Sequence, residues 1–232
     1  VVTREIMLER WRDPLIKNKY LSHLSNLNRA KRESPKGYNS LLSKNSEELS
    51  YVFGAFVGDG YLYSNGRDYR LDFYVKDKDF LDSINKSVRN ILKRKREYPL
   101  FTSGKYHILR IYSKEIFLLF KENKESYELA YSHPSSFLRG LYDAEGSVSE
   151  LMRGKVPRVC LYNRNRRLME ISYNLLKSLG INSKLNAYIN KGKMMYRISI
   201  HRKKDIVTFS KSIGFTIRRK QQKIDKWIRE EK

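Results

Sequence analysis

Two short segments of this chain end in a carboxylate followed by glycine: Phe53-Gly54-Ala55-Phe56-Val57-Gly58-Asp59-Gly60 and Arg139-Gly140-Leu141-Tyr142-Asp143-Ala144-Glu145-Gly146. Gly54 and Gly58 stand four residues apart, as do Gly140 and Ala144, so on a helix each pair shares one face. A single pair of this kind usually reflects ordinary core packing. Two pairs at matched places predict two helices packed small face to small face about a pseudo-two-fold axis. Asp59 and Glu145 would then emerge side by side at one end of that contact. Two carboxylates brought together on a basic surface are costly unless cations sit between them. Hard divalent cations with oxygen ligands, Mg²⁺ first, are the expected occupants. A phosphodiester held over such ions is open to in-line attack by water.

The elements that must position these carboxylates occur twice. Asp59 aligns with Glu145 at a separation of 86 residues. Phe73-Tyr74-Val75-Lys76 aligns with Cys160-Leu161-Tyr162-Asn163 at 87, and Leu109-Arg110-Ile111-Tyr112 with Ile198-Ser199-Ile200-His201 at 89. An ordered series of anchors with so little drift predicts an internal duplication with small loop insertions. Each copy opens with a helix. The cap-like Asn45-Ser46-Glu47-Glu48 starts the first, running to about Gly58, and Pro134 starts the second. Gly60 and Gly146 are expected to stop them. Alternation of Tyr69, Leu71, Phe73 and Val75 with Arg70, Asp72, Tyr74 and Lys76 predicts a half-buried strand. Helices follow over about Lys78–Lys93 and Arg166–Leu179, then strands including Tyr106–Tyr112 and Met195–His201, then further helices. The fold class expected is α+β, two pseudo-symmetric αββαββα repeats with antiparallel sheets. Residues 1–45 read as a basic helical extension, 46–130 as the first repeat, and 131–232 as the second repeat with a C-terminal helix.

Composition bounds the partner. Lys and Arg number 48 against 25 Asp and Glu, a formal net charge of +23. A hydrophobic fraction of 40% with 12% aromatics is too rich for a disordered basic tail. A single cysteine, Cys160, excludes an intramolecular disulfide and a Cys-rich zinc site. The longest apolar runs are far too short to span a bilayer. The cations are spread along the whole chain rather than gathered in one amphipathic helix or tail, so the expected polyanion is nucleic acid and not a membrane. An intracellular protein is expected, in the cytoplasm or nucleoid of a prokaryotic host or in an organelle.

The paired segments resemble the double signature of the LAGLIDADG homing endonucleases, over about residues 45–225. That resemblance implies a monomer whose two sheets form a saddle on double-stranded DNA. It also implies cleavage of both strands across the minor groove, leaving short 3′ overhangs, with two or three divalent ions (Mg²⁺ or Mn²⁺) shared between the motifs. By position in the motif, Asp59 and Glu145 become metal ligands, joined by the backbone carbonyls of Gly58 and Ala144. Family members often carry Gln or Lys at the end of the second strand of each repeat. That place falls on Lys76, suited to developing charge, and on Asn163, suited to positioning water. Asn163 departs from the commoner residues, and Arg164 beside it is the candidate for the missing charge.

Strand parity assigns the face toward DNA. In the first repeat it carries Arg70, Asp72, Tyr74, Lys76, Ile108, Arg110 and Tyr112; in the second, Arg158, Cys160, Tyr162, Arg197, Ser199 and His201. Arginine can read guanine edges and Tyr or Ser can bond bases directly or through water, whereas a plain solvated face would meet phosphates alone. Lys93-Arg94-Lys95-Arg96 and Arg218-Arg219-Lys220 read as phosphate contacts or solubilising charge, and Tyr142 and Asp143 as helix-packing and locally hydrogen-bonded residues. Three functions stay open at this point: a site-specific endonuclease, an RNA-binding maturase acting on a host intron, and a nuclease-dead DNA-binding regulator. The presence of both acidic positions favours the first.

Overall fold

A computed structural model describes residues 46–124, 127–149 and 156–230. The expected extension over residues 1–45 lies outside them. The first helix, α1 (Glu47–Asp59), starts where Ser46 Oγ accepts the Leu49 N–H at 3.2 Å, with Glu47 and Glu48 in the first turn favouring its dipole. It passes without a loop into β1 (Gly60–Ser64), which pairs antiparallel with β2 (Tyr69–Val75). Then come α2 (Lys78–Ile91), β3 (Leu100–Ser103), β4 (Tyr106–Tyr112), α3 (Lys114–Asn123) and a short α4 (Glu128–Ser132). The second copy runs α5 (Pro134–Glu145), β5 (Gly146–Val148), β6 (Val159–Asn163), α6 (Arg166–Ser178), β7 (Lys184–Asn190), β8 (Lys193–Ile200), α7 (Lys203–Ser212) and α8 (Arg218–Glu230).

The two sheets have the same topology, β1-β2-β4-β3 and β5-β6-β8-β7, all pairings antiparallel. This is the α+β architecture of two αββαββα repeats that the periodicity predicts. One face of each sheet is buried: Leu71, Phe73, Leu109 and Ile111 in the first, Val159, Leu161, Ile198 and Ile200 in the second. Around α1, Phe53 packs edge-on against Phe120 at 5.3 Å and Tyr127 at 6.3 Å and meets Phe137 at 5.9 Å, tying the first helix to elements of both copies.

Helices α1 and α5 do pack on their small faces. A Cβ added at Gly54 would stand 2.1 Å from Phe137 O, and one at Gly140 would stand 2.1 Å from Tyr51 O. At Gly58 it would meet the Ala144 Cβ at 2.4 Å. At Gly54 and Gly140 no side chain fits between these backbones, and at Gly58 the Ala144 methyl already fills the space.

Gly60 and Gly146 end the two helices as expected, in extended backbone at φ −86 and −84. Glycine is needed there because a Cβ would run into the Phe56 or Tyr142 backbone as the chain turns into its strand. Two sequence expectations are corrected. First, ladder register pairs Gly60 with Phe73 and Gly146 with Leu161, so Phe73 corresponds to Leu161 and Lys76 to Arg164, one residue off the alignment read from sequence. A one-residue slip exchanges the two faces of a strand, which is why the buried pair Phe73 and Leu161 decides it. Second, Cys160 and Ser199 have outward parity yet are buried, Cys160 being 3% exposed.

Candidate functional site

The C-terminal ends of α1 and α5 meet at a cleft of about 390 Å³. Asp59, Ala144 and Glu145 line it from the helix ends, Lys76 and Asp77 from the end of β2, and Arg219, Lys220 and Lys223 from α8. The packing of α1 on α5 therefore delivers the two carboxylates to one place. Burial pushes the carboxyls of both up from their usual range, and Glu145 reaches about 7 with the Asp59 charge adding to the effect. A pair of part-buried carboxylates held up in this way is a site that gains from a cation.

Each carboxylate has a partner that offsets this cost. Asn163, at the end of β6, donates through Nδ2 to Glu145 Oε1 at 3.0 Å and orients that carboxylate. Lys220 sits on α8 with only 6% of its surface exposed. Its ammonium donates to the Tyr142 carbonyl at 3.1 Å and the Asp143 carbonyl at 2.5 Å, two of the last carbonyls of α5. These occupy two of its three donors, at the negative end of the α5 dipole. Its charge opposes the upward shifts of Asp59 and Glu145, while burial brings its own pKa down to about 8.

Helix α8 is locked in place by carboxylates from both copies. The Asp143 carboxylate, two residues before Glu145 in the second motif, accepts from the Thr216 N–H at 2.9 Å, the Thr216 hydroxyl at 2.7 Å and the Tyr51 hydroxyl at 3.2 Å. Burial raises this carboxyl to about 6. Asp77 takes a bidentate bond from Arg219 at 2.6 and 2.7 Å, which holds its carboxyl below the usual range. Asp79 accepts the Arg218 N–H at 2.7 Å.

The other sequence candidates fall as follows. Lys76 lines the cleft, exposed, with its ammonium 5.7 Å from the Tyr106 ring. Arg164 is exposed and is not among the residues lining the cleft. Arg70 and Asp72 share the outward face of the first sheet but bind each other at 2.8 Å. Tyr74 and Tyr112 are exposed there, with Ile108 and Arg110 half-buried. In the second copy Arg158 is exposed, and Tyr162, Arg197 and His201 are half-buried. Arg219 and Lys220, expected as phosphate contacts or solubilising charge, are instead committed to Asp77 and to the end of α5. Asp143, expected to bond locally, bonds across more than seventy residues of chain. Lys220 is the residue that sequence reasoning missed. Its signal was faint, the burial of Ile224 and Trp227 four and seven residues on marking the inward stripe of α8.

Among the described residues, no group of three or more His, Cys, Asp or Glu gathers, and no helix is long and apolar enough to cross a membrane. Two carboxylates do not make a closed metal cage. They do suit an ion that keeps waters and shares substrate oxygens, as Mg²⁺ does.

Residues 132–214 match a domain model described as LAGLIDADG-like, and residues 48–109 match the WhiA LAGLIDADG-like domain. An uncharacterized protein of Methanocaldococcus jannaschii is 31% identical over 202 residues, 79% of this chain and 72% of that protein. The homing endonuclease I-DmoI of Desulfurococcus mucosus is 25% identical over 156 residues, 61% of this chain and 77% of its own. The crystal structure of I-DmoI in complex with DNA and Mn superposes with a TM-score of 0.59 at 24% identity, covering 73% of this chain and 97% of that one. Full-length DUF199/WhiA from Thermatoga maritima gives 0.55 at 20% identity, covering 81% and 61%. With one motif helix in each of two matched copies, packed on each other at the centre of this shared fold, the chain belongs to the LAGLIDADG family as a two-motif member.

Proposed function

We propose that this protein is a site-specific, divalent-metal-dependent DNA endonuclease that acts as a monomer, cutting both strands across the minor groove and leaving short 3′ overhangs. The observation that carries the reading is the convergence of Asp59 and Glu145 on one cleft rimmed by Lys76, Lys220 and Lys223. The residues fit a metal: two carboxylates held at raised pKa in one cleft, to which the carbonyls of Gly58 and Ala144, each next to its carboxylate in the chain, would add further oxygens. Mg²⁺ or Mn²⁺ held there would polarise the phosphodiester and offset the negative charge that hydrolysis builds. The chain's own groups act around that ion. Asn163 keeps Glu145 in one orientation. Lys220 tempers the repulsion between the carboxylates. Lys76 and Lys223 present cations at the mouth of the cleft, where a DNA backbone would pass. The solved I-DmoI complexes, with DNA and Mn or Ca, support the partner and the metal class.

A second reading has its own support. The first copy matches the WhiA LAGLIDADG-like domain, which favours a DNA-binding protein that does not cleave. One experiment separates the two. Duplexes are selected from a randomised library on the protein without divalent metal, and the enriched duplex is then incubated with Mg²⁺ or Mn²⁺. The endonuclease reading expects a metal-dependent double-strand break, reduced by about 10²-fold or more in Asp59→Asn and Glu145→Gln while binding persists. Binding without a break in either metal establishes the regulator instead.

A further inference from the structure

The two sheets share a topology but not a surface chemistry. On the outward face of the first sheet, register aligns Tyr61 with Asp72 and Arg110, Tyr63 with Arg70 and Tyr112, and Phe101 with Ile108 and Tyr74. Tyr106 stacks on Tyr74 at 4.6 Å. Rings dominate, and they are open to solvent: Tyr61 is 65% and Tyr74 52% exposed. The charged groups among them are largely committed. Arg70 binds Asp72 at 2.8 Å and lies 4.0 Å over the Tyr63 ring. Arg110 is less committed: its guanidinium lies 5.7 Å from the Phe101 ring, and its buried Nε, like Asp72 Oδ1, has no hydrogen-bond partner.

The second sheet presents directed polar groups at the corresponding places. Tyr162 aligns with Arg197 and Asn186, and Lys193 with Asn190. Asn186, Asn190, Lys184 and Lys193 are exposed, and Arg197 lies 6.0 Å from the Tyr188 ring with its Nε making no hydrogen bond. Tyr162 and Tyr188 are its only outward tyrosines among the described residues.

These surfaces differ in what they can tell apart. Asn and Arg offer fixed donor and acceptor pairs that match adenine and guanine edges bidentately, whereas an aromatic ring meets any apolar edge, thymine methyl included. A tyrosine hydroxyl both donates and accepts, so it satisfies a base edge of either kind. Adhesion without discrimination is the expected property of the first face, and discrimination is that of the second.

We propose that the two sheets read one duplex by different chemistry: the second discriminates bases through Asn186, Asn190 and Arg197, while the first grips its half-site through tyrosine rings and tolerates base changes everywhere except opposite Arg110. The inference rests on the DNA-binding part of the reading above and not on cleavage. It assigns the protein a target with one strict and one permissive half.

The test is a binding measurement without divalent metal, on the duplex enriched from the randomised library and on all of its single-base-pair variants. Changes at two or three adjacent positions of one half should weaken binding about 5- to 150-fold, the span of a bidentate contact. Changes in the other half should cost less than about threefold, apart from one position. Asn186→Ala should flatten the profile of the strict half and leave the permissive half as it was. Tyr74→Ala should weaken all duplexes by the same factor. Two equally strict halves, or a strict half unmoved by Asn186→Ala, Asn190→Ala and Arg197→Ala together, would overturn this inference while leaving DNA recognition standing. Failure of any duplex to enrich would overturn both.

Discussion

Replacing Gly140 with alanine adds a single methyl at the closest approach of α1 and α5, and the sign of its effect is informative. On an isolated helix the change is favourable, by about 1 kcal/mol, because alanine has less backbone freedom to lose than glycine. In the folded protein the new Cβ would lie 2.1 Å from Tyr51 O and 2.7 Å from Ala55 N, both backbone atoms with no rotamer to yield. A relaxed carbon-to-oxygen contact is about 3.3 Å or more, so the helices must part by roughly 1 Å. Overpacking of that kind costs about 3 kcal/mol, leaving about 2 kcal/mol of net destabilisation. For a unit of this size that lowers Tm by about 4–8 °C. The separation also spreads Asp59 from Glu145, and a misplacement of about 1 Å costs on the order of 10²-fold in rate. Thermal melting by circular dichroism and single-turnover cleavage of the selected duplex measure the two effects. A variant that melts at or above the parent and cleaves at its rate would refute the packing argument, because only the helix-propensity gain would then remain.

Lys220→Met keeps the apolar stem but takes its donor from the Asp143 carbonyl and leaves the Tyr142 carbonyl with the Gly146 N–H alone, a loss of about 1–3 kcal/mol. Melting should fall by several degrees, and cleavage of the selected duplex should fall further than its binding. Arg219→Ala breaks a bidentate pair whose arginine is well exposed, so its effect on melting should stay within about 1 kcal/mol. The pH dependence follows from Glu145, whose folded pKa near 7 lies above its ordinary 4.5. The folded state holds this proton more tightly than the unfolded chain. The resulting penalty is absent below 4.5, grows as pH rises, and is complete above about 7. Melting of the metal-free protein should therefore fall across that window, and Glu145→Gln should remove that share of the slope. A slope unchanged in the variant would assign the effect to Asp143, which is raised to about 6 by the same burial.

Much of the fold is legible because its determinants are local. The Ser46 cap, the alternation of β2 and the spacing of Gly54 with Gly58 each follow from a few neighbouring residues. Their recurrence along the chain exposes the duplication. Register was not legible to the residue, since Cys160 and Leu161 are both apolar enough to face inward and only the partner strand chooses. The glycines after Asp59 and Glu145 are legible as helix ends, but what demands glycine there is not legible in the sequence: their backbone is ordinary, and the obstacle is the preceding turn of the same helix.

What the sequence determined alone is the pair of carboxylates at the ends of two small-faced helices, because a helix four residues per face puts Gly54 with Gly58 and Gly140 with Ala144 regardless of what surrounds them. What only the tertiary structure decided is the company those carboxylates keep. Lys220 lies far along the chain from Asp59, in a basic run that reads as surface charge. It becomes part of the cleft because Asp143, Asp77 and Asp79 dock the start of α8 against both copies. Burial and pairing between distant segments have no local pattern to announce them, and the chemistry of this site depends on both.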